Sequence, residues 1–504
     1  MTERLIISAP FYIRESNTEC GYCHGKKPIE QDYSLQSWSQ FLQEDGDNIA
    51  FENATLGFQA ESLSVEMYDK LCNIGFRRSG KFLYKTDMLR NCCRLYTIRT
   101  TSKQVRFSKE LKTSVKRYKK SIRDDDVQDQ KLSNSNNTTN REVDYFKEMI
   151  EGERNSNCFK CVFEPAVFTK EKYDLFVKYQ ENVHKDHINS EKSFKRFLCD
   201  SPFSEETIIG TQEEWDELNN WKDFKKNDRL KRLGPAHECY YYKNNLIAVA
   251  VVDILPSGIS SVYFIWDPDY HKWSLGKLSA LRELCITERL NLGYYYMGYY
   301  IEDCPKMAYK AKYGGELLDI CRHEYIPIEK LKENVNLEKL FTFQNESSEV
   351  FSEQHLNDKL KGPPTLMDSK SNARNTADSV YGPEGTAVIN ANAAARKLSD
   401  LGIPYEVTQD RSIYGNHSET STAKDYRNFP NVFPGLVPLP EILEMVEKGK
   451  LNMLNYGLLF YDTKLGNIRP MSNFEKESSH IKKLVCDIVR CIGLHNTIDA
   501  LIII

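Results

Sequence analysis

The sequence predicts an α+β fold with a mixed-sheet main domain, preceded by a small cysteine-bearing metal-binding domain. Three observations lead there. Between residues 238 and 301 the pattern reads strand, strand, strand, helix, strand, which places a crossover helix inside a hairpin-built sheet. The chain has 504 residues, about three times the roughly 150 of one typical domain. Two cysteine pairs, near residues 20 and 92, lie ahead of that segment.

Composition narrows the function classes. Apolar residues make up 40% and mean hydropathy is −0.57, which suits folded units joined by polar stretches. The longest apolar runs, 246–255 and 501–504, fall far short of the ~20 residues of a spanning helix. Met1-Thr2-Glu3-Arg4-Leu5 carries no basic-then-apolar leader, so no secretory signal is expected. The expected location is the cytoplasm, with the nucleus as an alternative, and a monomer is expected. A net charge of −4 argues against a wholly basic nucleic-acid coat, although local patches matter more than the total. Fourteen cysteines without a leader point to free thiols or metal ligands in a reducing compartment.

In chain order, residues 1–102 form the expected metal-binding domain. Residues 103–123 carry nine basic residues and one acidic one. Val105, Phe107, Leu111, Val115 and Tyr118 give that stretch one apolar helical stripe. Residues 124–154 read as a linker, with the polar tract 124–142 expected to be disordered. Residues 155–334 form the main domain. There 170–183 has helical spacing, 238–242 and 246–254 read as strands around Lys243-Asn-Asn245, and 262–266 as a third strand. A helix over 275–290 and a strand over 294–301 come next. Residues 335–384 read as a second linker, and 385–504 as a C-terminal extension with helices near 390–398 and 441–449.

Cys20-Gly-Tyr-Cys23-His24 has the two-residue spacing that lets one turn present both thiols to one metal. Cys92-Cys93 supplies a second pair, and four soft thiolates suit zinc or an iron–sulfur cluster. Adjacent cysteines chelate awkwardly, so His24 can stand in for one of them. Both can also be small buried residues. Between the pairs, Arg77, Arg78 and Lys81 sit among glycines in Gly75-Phe-Arg-Arg-Ser-Gly80-Lys81, a pattern for phosphate binding or for a solvated turn.

Cys20-x-x-Cys23-His24, Gly75-Phe-Arg-Arg-Ser-Gly80 and Cys92-Cys93-Arg-Leu-Tyr-Thr-Ile-Arg99 resemble the N-terminal domain of eukaryotic arginyl-tRNA–protein transferases. The resemblance continues through His237-Glu-Cys-Tyr, Leu246-Ile-Ala-Val-Ala-Val-Val-Asp-Ile-Leu-Pro256, Ser274-Leu-Gly-Lys-Leu-Ser-Ala-Leu-Arg282 and Cys304-Pro-Lys-Met-Ala-Tyr-Lys310. It spans roughly residues 15–320, and the residues after about 335 look like a fungal-type extension. The resemblance implies transfer of arginine from Arg-tRNA to the α-amino group of proteins beginning with Asp, Glu or oxidised Cys, making a degradation signal. It also implies an acyltransferase (GNAT-type) fold for the catalytic half.

In that fold a helix N-terminus binds the coenzyme A pyrophosphate. Aligned on Gly276, this chain has Trp273 and Leu278 where the coenzyme A pattern wants Arg or Gln and a small residue. Coenzyme A is therefore not expected, while Ser274, Gly276, Lys277 and Ser279 can hold a tRNA phosphate. An N-terminal amine titrates near 7.7–8.0, so aminolysis of the activated ester needs alignment and oxyanion stabilisation more than a strong base. Asp253, Asp267, Glu302 and Asp303 are the candidate carboxylates, Asp253 favoured because it interrupts an apolar strand.

Recognition of an acidic N-terminus needs cations, and His237, Lys306, Lys310 and Lys312 are the candidates, with Tyr309 beside them. His237 and Lys306 are expected at one mouth, with Lys310 and Lys312 next in line. Lys116, Arg117, Lys119 and Lys120 are the expected tRNA backbone contacts, a solvated helix face being the alternative. A coenzyme A-dependent N-acyltransferase and a non-catalytic metal- or RNA-binding protein remain as rival functions.

Overall fold

The computed structural model describes residues 4–15, 20–24, 53–88, 91, 93–123, 143–225, 228–334, 340–343, 373–375, 387–407 and 430–504. The chain folds into two units. The first combines Met1–Ile98, Tyr299–Ala311 and Glu316–Ile504, and the second comprises Arg99–Gly298 and Lys312–Gly315. These limits differ from the compositional boundaries, because composition reports solvation and not which strands pair.

The first unit is built on a sheet of strands drawn from both ends of the chain. β1 (Ile6–Ser8), β2 (Phe11–Glu15), β3 (Asn53–Ser62), β4 (Arg77–Ser79) and β5 (Phe82–Thr86) come from the N-terminal part. Ser64 caps the helix α1 (Val65–Asn73) between β3 and β4 by accepting from Met67 N. β16 (Leu459–Asp462), β17 (Asn467–Pro470) and β18 (Leu501–Ile503) complete the sheet in the order β17-β16-β18-β1-β3-β5-β4, with β2 also on β3. β18 runs parallel to β1, Ile6 opposite Leu501. Residues 385–504 are thus part of the N-terminal unit rather than a separate extension.

The apolar Leu501-Ile-Ile end explains why: Ile502 lies opposite Ile7, and both are buried, as are Leu56, Phe58 and Leu83. The C-terminal part also supplies three helices, α6 (Ala387–Asp400), α7 (Leu439–Glu447) and α8 (Ser479–Ile492). α7 starts two residues before the predicted 441 because Pro440 suits a first turn. Buried Lys85 donates to the Gly435 carbonyl at 2.8 Å, where positive φ makes glycine the fitting residue. Two further antiparallel pairs belong here, β12 (Glu316–Asp319) with β13 (Glu324–Pro327), and β14 (Phe341–Phe343) with β15 (Ala373–Asn375). The second pair lies inside the predicted 335–384 linker.

The second unit carries a mixed sheet. β7 (Phe159–Glu164), β8 (Gly234–Tyr242), β9 (Asn245–Leu255) and β10 (Gly258–Trp266) are antiparallel neighbours. β8 and β10 each begin four residues before their predicted starts. The helix α5 (Leu275–Arg289) then crosses over, and β11 (Tyr294–Tyr300) returns parallel to β10. The pairing covers Gly258–Ser260 against Tyr294–Tyr296, while β10 runs on to Trp266. At Gly258 an added Cβ would lie 1.8 Å from the Tyr294 carbonyl oxygen, so only glycine allows that approach. β6 (Tyr96–Thr100) and β11 both straddle the boundary between the units.

Helix α2 (Lys109–Ser121) is capped by Ser108 and begins six residues after the predicted 103, where Ser102–Gln104 instead makes a 3-10 turn. The predicted linker 124–154 ends in a helix, α3 (Tyr145–Arg154). The tract 124–142 lies outside the described residues. Helix α4 (Lys170–Tyr179) passes into a wider π turn over Gln180–His184. An α+β fold with two mixed sheets is the observed architecture.

Candidate functional site

Three cysteines meet in the first unit. The turn after β2 closes with His24 N donating to Cys20 O at 2.9 Å, which puts Cys20 and Cys23 on one face. Cys93 arrives just before β6. The three sulfurs lie within 4.8 Å of one another, and Cys20 Sγ is 3.9 Å from Cys93 Sγ. Thiolates 2.3 Å from one tetrahedral zinc are separated by roughly 3.8 Å, so this donor set fits a single ion. Cys92 lies outside the described residues. His24 is exposed and is not one of the grouped ligands.

A thiol absent from the expected ligand set completes the surroundings. Cys304 is buried with Cys20, Cys93, Leu95, Tyr299 and Ile301, and Cys23, Tyr84 and Met307 pack against them. Its Sγ is 3.9 Å from the Tyr22 carbonyl, inside the Cys20–Cys23 turn. Cys304 also precedes the short helical turn Pro305–Ala308. The Cys-Pro pair in the sequence marks that turn, but nothing local in it signals contact with a loop 282 residues earlier.

The segment from Glu302 to Lys310, after β11, carries five candidates. Glu302 accepts from Tyr300 Oη and from Lys332 Nζ, the latter at 3.0 Å. Asp303 and Lys306 are exposed, and Tyr309 is half-buried. Lys310 is buried, donates to Tyr299 O at 2.5 Å, and is pushed down to about 7 by burial and by Arg77 beside it.

The Arg77, Arg78 and Lys81 group does not form the exposed phosphate fork that the glycines suggest. Arg77 and Arg78 begin β4 with their side chains buried. Arg77 Nη1 donates to Cys72 O at 2.8 Å and Phe76 O at 2.7 Å, and Arg78 Nη1 to Gly80 O at 3.3 Å. Lys81 pairs with Glu61 at 2.7 Å.

In the second unit, Asp253 is wholly buried on β9, opposite Ser260 on one side and Pro235 on the other. Asp267 caps the turn Pro268–Trp273 by accepting from Asp269 N, and pairs with Lys178 at 2.6 Å. His237 lies within β8 rather than before a strand. It is fully buried, with Nε2 2.9 Å from Leu198 O, which places it away from any surface mouth.

The N-terminus of α5 starts at Ser274, in the left-handed region with φ 58°, with no side-chain cap. Beside Gly276 the nearest atom to an added Cβ is Phe264 Cδ1 at 3.9 Å, so the turn is open there. Lys277 does not project freely. It shares Glu110 with Lys312, whose Nζ is 2.9 Å away, and the two lysines hold Glu110 down to about 2. Ser279 points inward and donates to Glu283 Oε1 at 2.7 Å, while burial lifts Glu283 to about 7. Leu278 packs in the core.

Along α2, Lys116, Arg117 and Lys120 are exposed. Arg117 donates to Lys272 O at 3.0 Å and Lys119 pairs with Glu148 at 2.6 Å. Beneath them runs a buried network that residue spacing does not single out. Arg282 bonds Glu153, and donates to Glu238 at 2.6 Å; Lys222 reaches Glu153 at 2.9 Å and Tyr240 reaches Glu238 at 3.0 Å. Burial opposes the charge of Glu153, but Arg282 and Lys222 outweigh it and hold the carboxyl below the usual range.

Two family models match the chain, "Arginine-tRNA-protein transferase, N terminus" over residues 18–113 and "Arginine-tRNA-protein transferase, C terminus" over 171–319. The arginyl-tRNA–protein transferase 1 of Saccharomyces cerevisiae is 47% identical over 510 aligned residues, covering 100% of this chain and 99% of that one. The arginyl-tRNA–protein transferase 2 of Arabidopsis thaliana is 40% identical over 173 residues, 33% of this chain and 27% of its own. An aspartate/glutamate leucyltransferase of Pseudomonas fluorescens is 29% identical over 268 residues, 52% of this chain and 84% of its own.

Proposed function

The chain belongs to the arginyl-tRNA–protein transferase family, which moves arginine from tRNA to protein N-termini, and we propose that its acceptors begin with Asp, Glu or oxidised Cys. The observation carrying the activity is the full-length match to the yeast enzyme. The acidic acceptors are supported by the bacterial relative, which is named for aspartate and glutamate. The product then serves as a degradation signal.

The proposed chemistry is aminolysis of the aminoacyl ester in a GNAT-type second unit. Supporting this are the antiparallel β9–β10 pair, the parallel return of β11 after α5, and the short β10–β11 pairing. Beyond Ser260 the β10 edge is released from β11, which offers backbone amides to a tetrahedral oxyanion. Asp253, opposite Ser260 where that pairing ends, is the proposed carboxylate for the arginyl group or the amine proton. Asp267 is already committed to its cap and to Lys178, and Glu302 to Tyr300 and Lys332. Asp303 is the exposed acid among the four.

Lys116 and Lys120 of α2, with the open turn at Gly276, are the proposed tRNA contacts, and Lys306 an exposed accessory cation. Coenzyme A has no proposed role, since Trp273 and Leu278 depart from its binding pattern. Zinc at Cys20, Cys23 and Cys93 is favoured over an iron–sulfur cube, whose thiolates sit on separate irons and so lie further apart. When bound, the ion would fix the fold of these loops. Among the described residues no helix is long and apolar enough to cross a membrane. A cytoplasmic monomer is the proposed state.

The test is incubation with labelled Arg-tRNA and an Asp-starting peptide, or with labelled acetyl-coenzyme A. Label transferred from tRNA alone is expected. Transfer from acetyl-coenzyme A, or from neither, would overturn the proposal.

A further inference from the structure

Two buried cations in the first unit converge on one residue, with no acid among the described residues to balance them. Arg77 is 5% exposed and Lys310 is 8% exposed. Lys310 Nζ donates to the Tyr299 carbonyl, and the Arg77 guanidinium carbon stands 5.9 Å from the centre of the Tyr299 ring. Arg77 spends Nη1 on two carbonyls, but its Nε and Nη2 have no partner among the described residues although they are buried. Of the three donors on Lys310, the Tyr299 carbonyl takes one, and no other acceptor is in hydrogen-bond reach among the described residues. Neither cation has a carboxylate within ion-pair distance among the described residues.

A buried guanidinium with unmet donors is destabilising unless an anion completes it. Resting on the arginine-transfer function, we propose that Arg77 and Lys310 form the subsite for the side-chain carboxylate of an acidic N-terminal residue. A carboxylate suits this pair of cations better than a nucleic-acid phosphate does. It is small, planar and able to take two guanidinium donors at once, and both cations are too buried to track a polymer backbone. Sulfinate and sulfonate of oxidised cysteine carry the same charge on a similarly small group. A neutral N-terminal side chain would leave both cations uncompensated, and that is how the site discriminates.

The first test compares Asp-starting and Asn-starting peptides in the wild type with Lys310→Met, Lys310→Arg and Arg77→Gln. Metal content and Arg-tRNA affinity serve as folding checks. Lys310→Met is expected to raise KM for the Asp-starting peptide by about tenfold or more, the effect of one lost charge-assisted hydrogen bond. The weak reaction of the Asn-starting peptide should not change, and Lys310→Arg should restore most of the affinity. A second test needs no variant: a carbodiimide joins a carboxylate to a lysine amine in direct contact. Mass spectrometry should find the Asp-starting peptide coupled to Lys310, and the Asn-starting peptide not coupled there. Unchanged KM in Lys310→Met, or coupling confined to lysines such as Lys306, overturns the subsite while leaving arginine transfer standing. Loss of Arg-tRNA affinity with KM for the peptide intact would assign the pair to phosphate and also overturn it. A wild type that transfers no arginine would defeat the arginine-transfer function instead.

Discussion

The sulfur of Cys20 lies 3.9 Å from the sulfur of Cys93, 73 residues further along the chain. That separation suits two thiolates on one tetrahedral ion, and Cys23 joins them from the same turn as Cys20. Around the three sulfurs pack Cys304, which precedes the short turn leading to Lys310, and Met307, which lies within that turn.

From this geometry one metal ion per chain is expected in the purified protein. Cys20→Ser and Cys93→Ser should each lose it, and chelation of the wild type should lower the melting temperature. Elemental analysis showing full metal content in both variants would rule the site out.

The salt dependence of Arg-tRNA binding should report on helix α2. Replacing Lys116 and Lys120 with Ala should flatten the slope of log K against log salt by about two, if each meets one phosphate. Lys119→Ala should do less, because Lys119 is already occupied by Glu148. An unchanged slope in the double variant assigns this face to solvent.

Glu110 holds two lysines that the sequence pattern offers to other partners, Lys277 to tRNA and Lys312 to the acidic substrate. Glu110→Gln should free both and strengthen Arg-tRNA binding, most clearly at low salt. Its folded-state titration is depressed to about 2. The ion pairs therefore stabilise the fold above the ordinary carboxylate range, and that contribution fades as pH falls from about 4.5 towards 2. For so exposed a group the whole effect should stay within about 1 kcal/mol. Urea titrations of wild type and variant across that window measure it, and a gap that widens on acidification contradicts the assignment.

Arg282 balances Glu153 and Glu238 in the core of the second unit. Arg282→Met would leave two buried carboxyls without their shared cation, at an expected cost of about 3–5 kcal/mol in unfolding free energy. A loss below about 1 kcal/mol would mean that water or a neighbouring cation already compensates them.

Local pattern was enough for the elements that bury their own apolar runs. The strand 246–254, the helix 275–290 and the strand 294–301 stand in the structure within a residue or so of their predicted limits. Their period and flanking turns depend only on neighbours in the chain. Elements whose core lies elsewhere were less legible. β18 reads as a short apolar tail until Ile6 is seen opposite Leu501, and the Tyr145–Arg154 helix was lost in its polar flank.

By itself, then, the sequence determined the cysteine motif, the order of strands and crossover helix, and the family those motifs resemble. Each is a matter of residue type and spacing. Only the tertiary structure decided which charges are free. His237 is sealed in a strand, Ser279 is turned to Glu283, Lys277 and Lys312 share Glu110, and Arg77 and Lys310 are buried around Tyr299. The reason is physical. A charged side chain takes its character from burial and from the partner opposite it, and that partner is often a hundred or more residues away. Glu110 and Lys312 stand 202 residues apart.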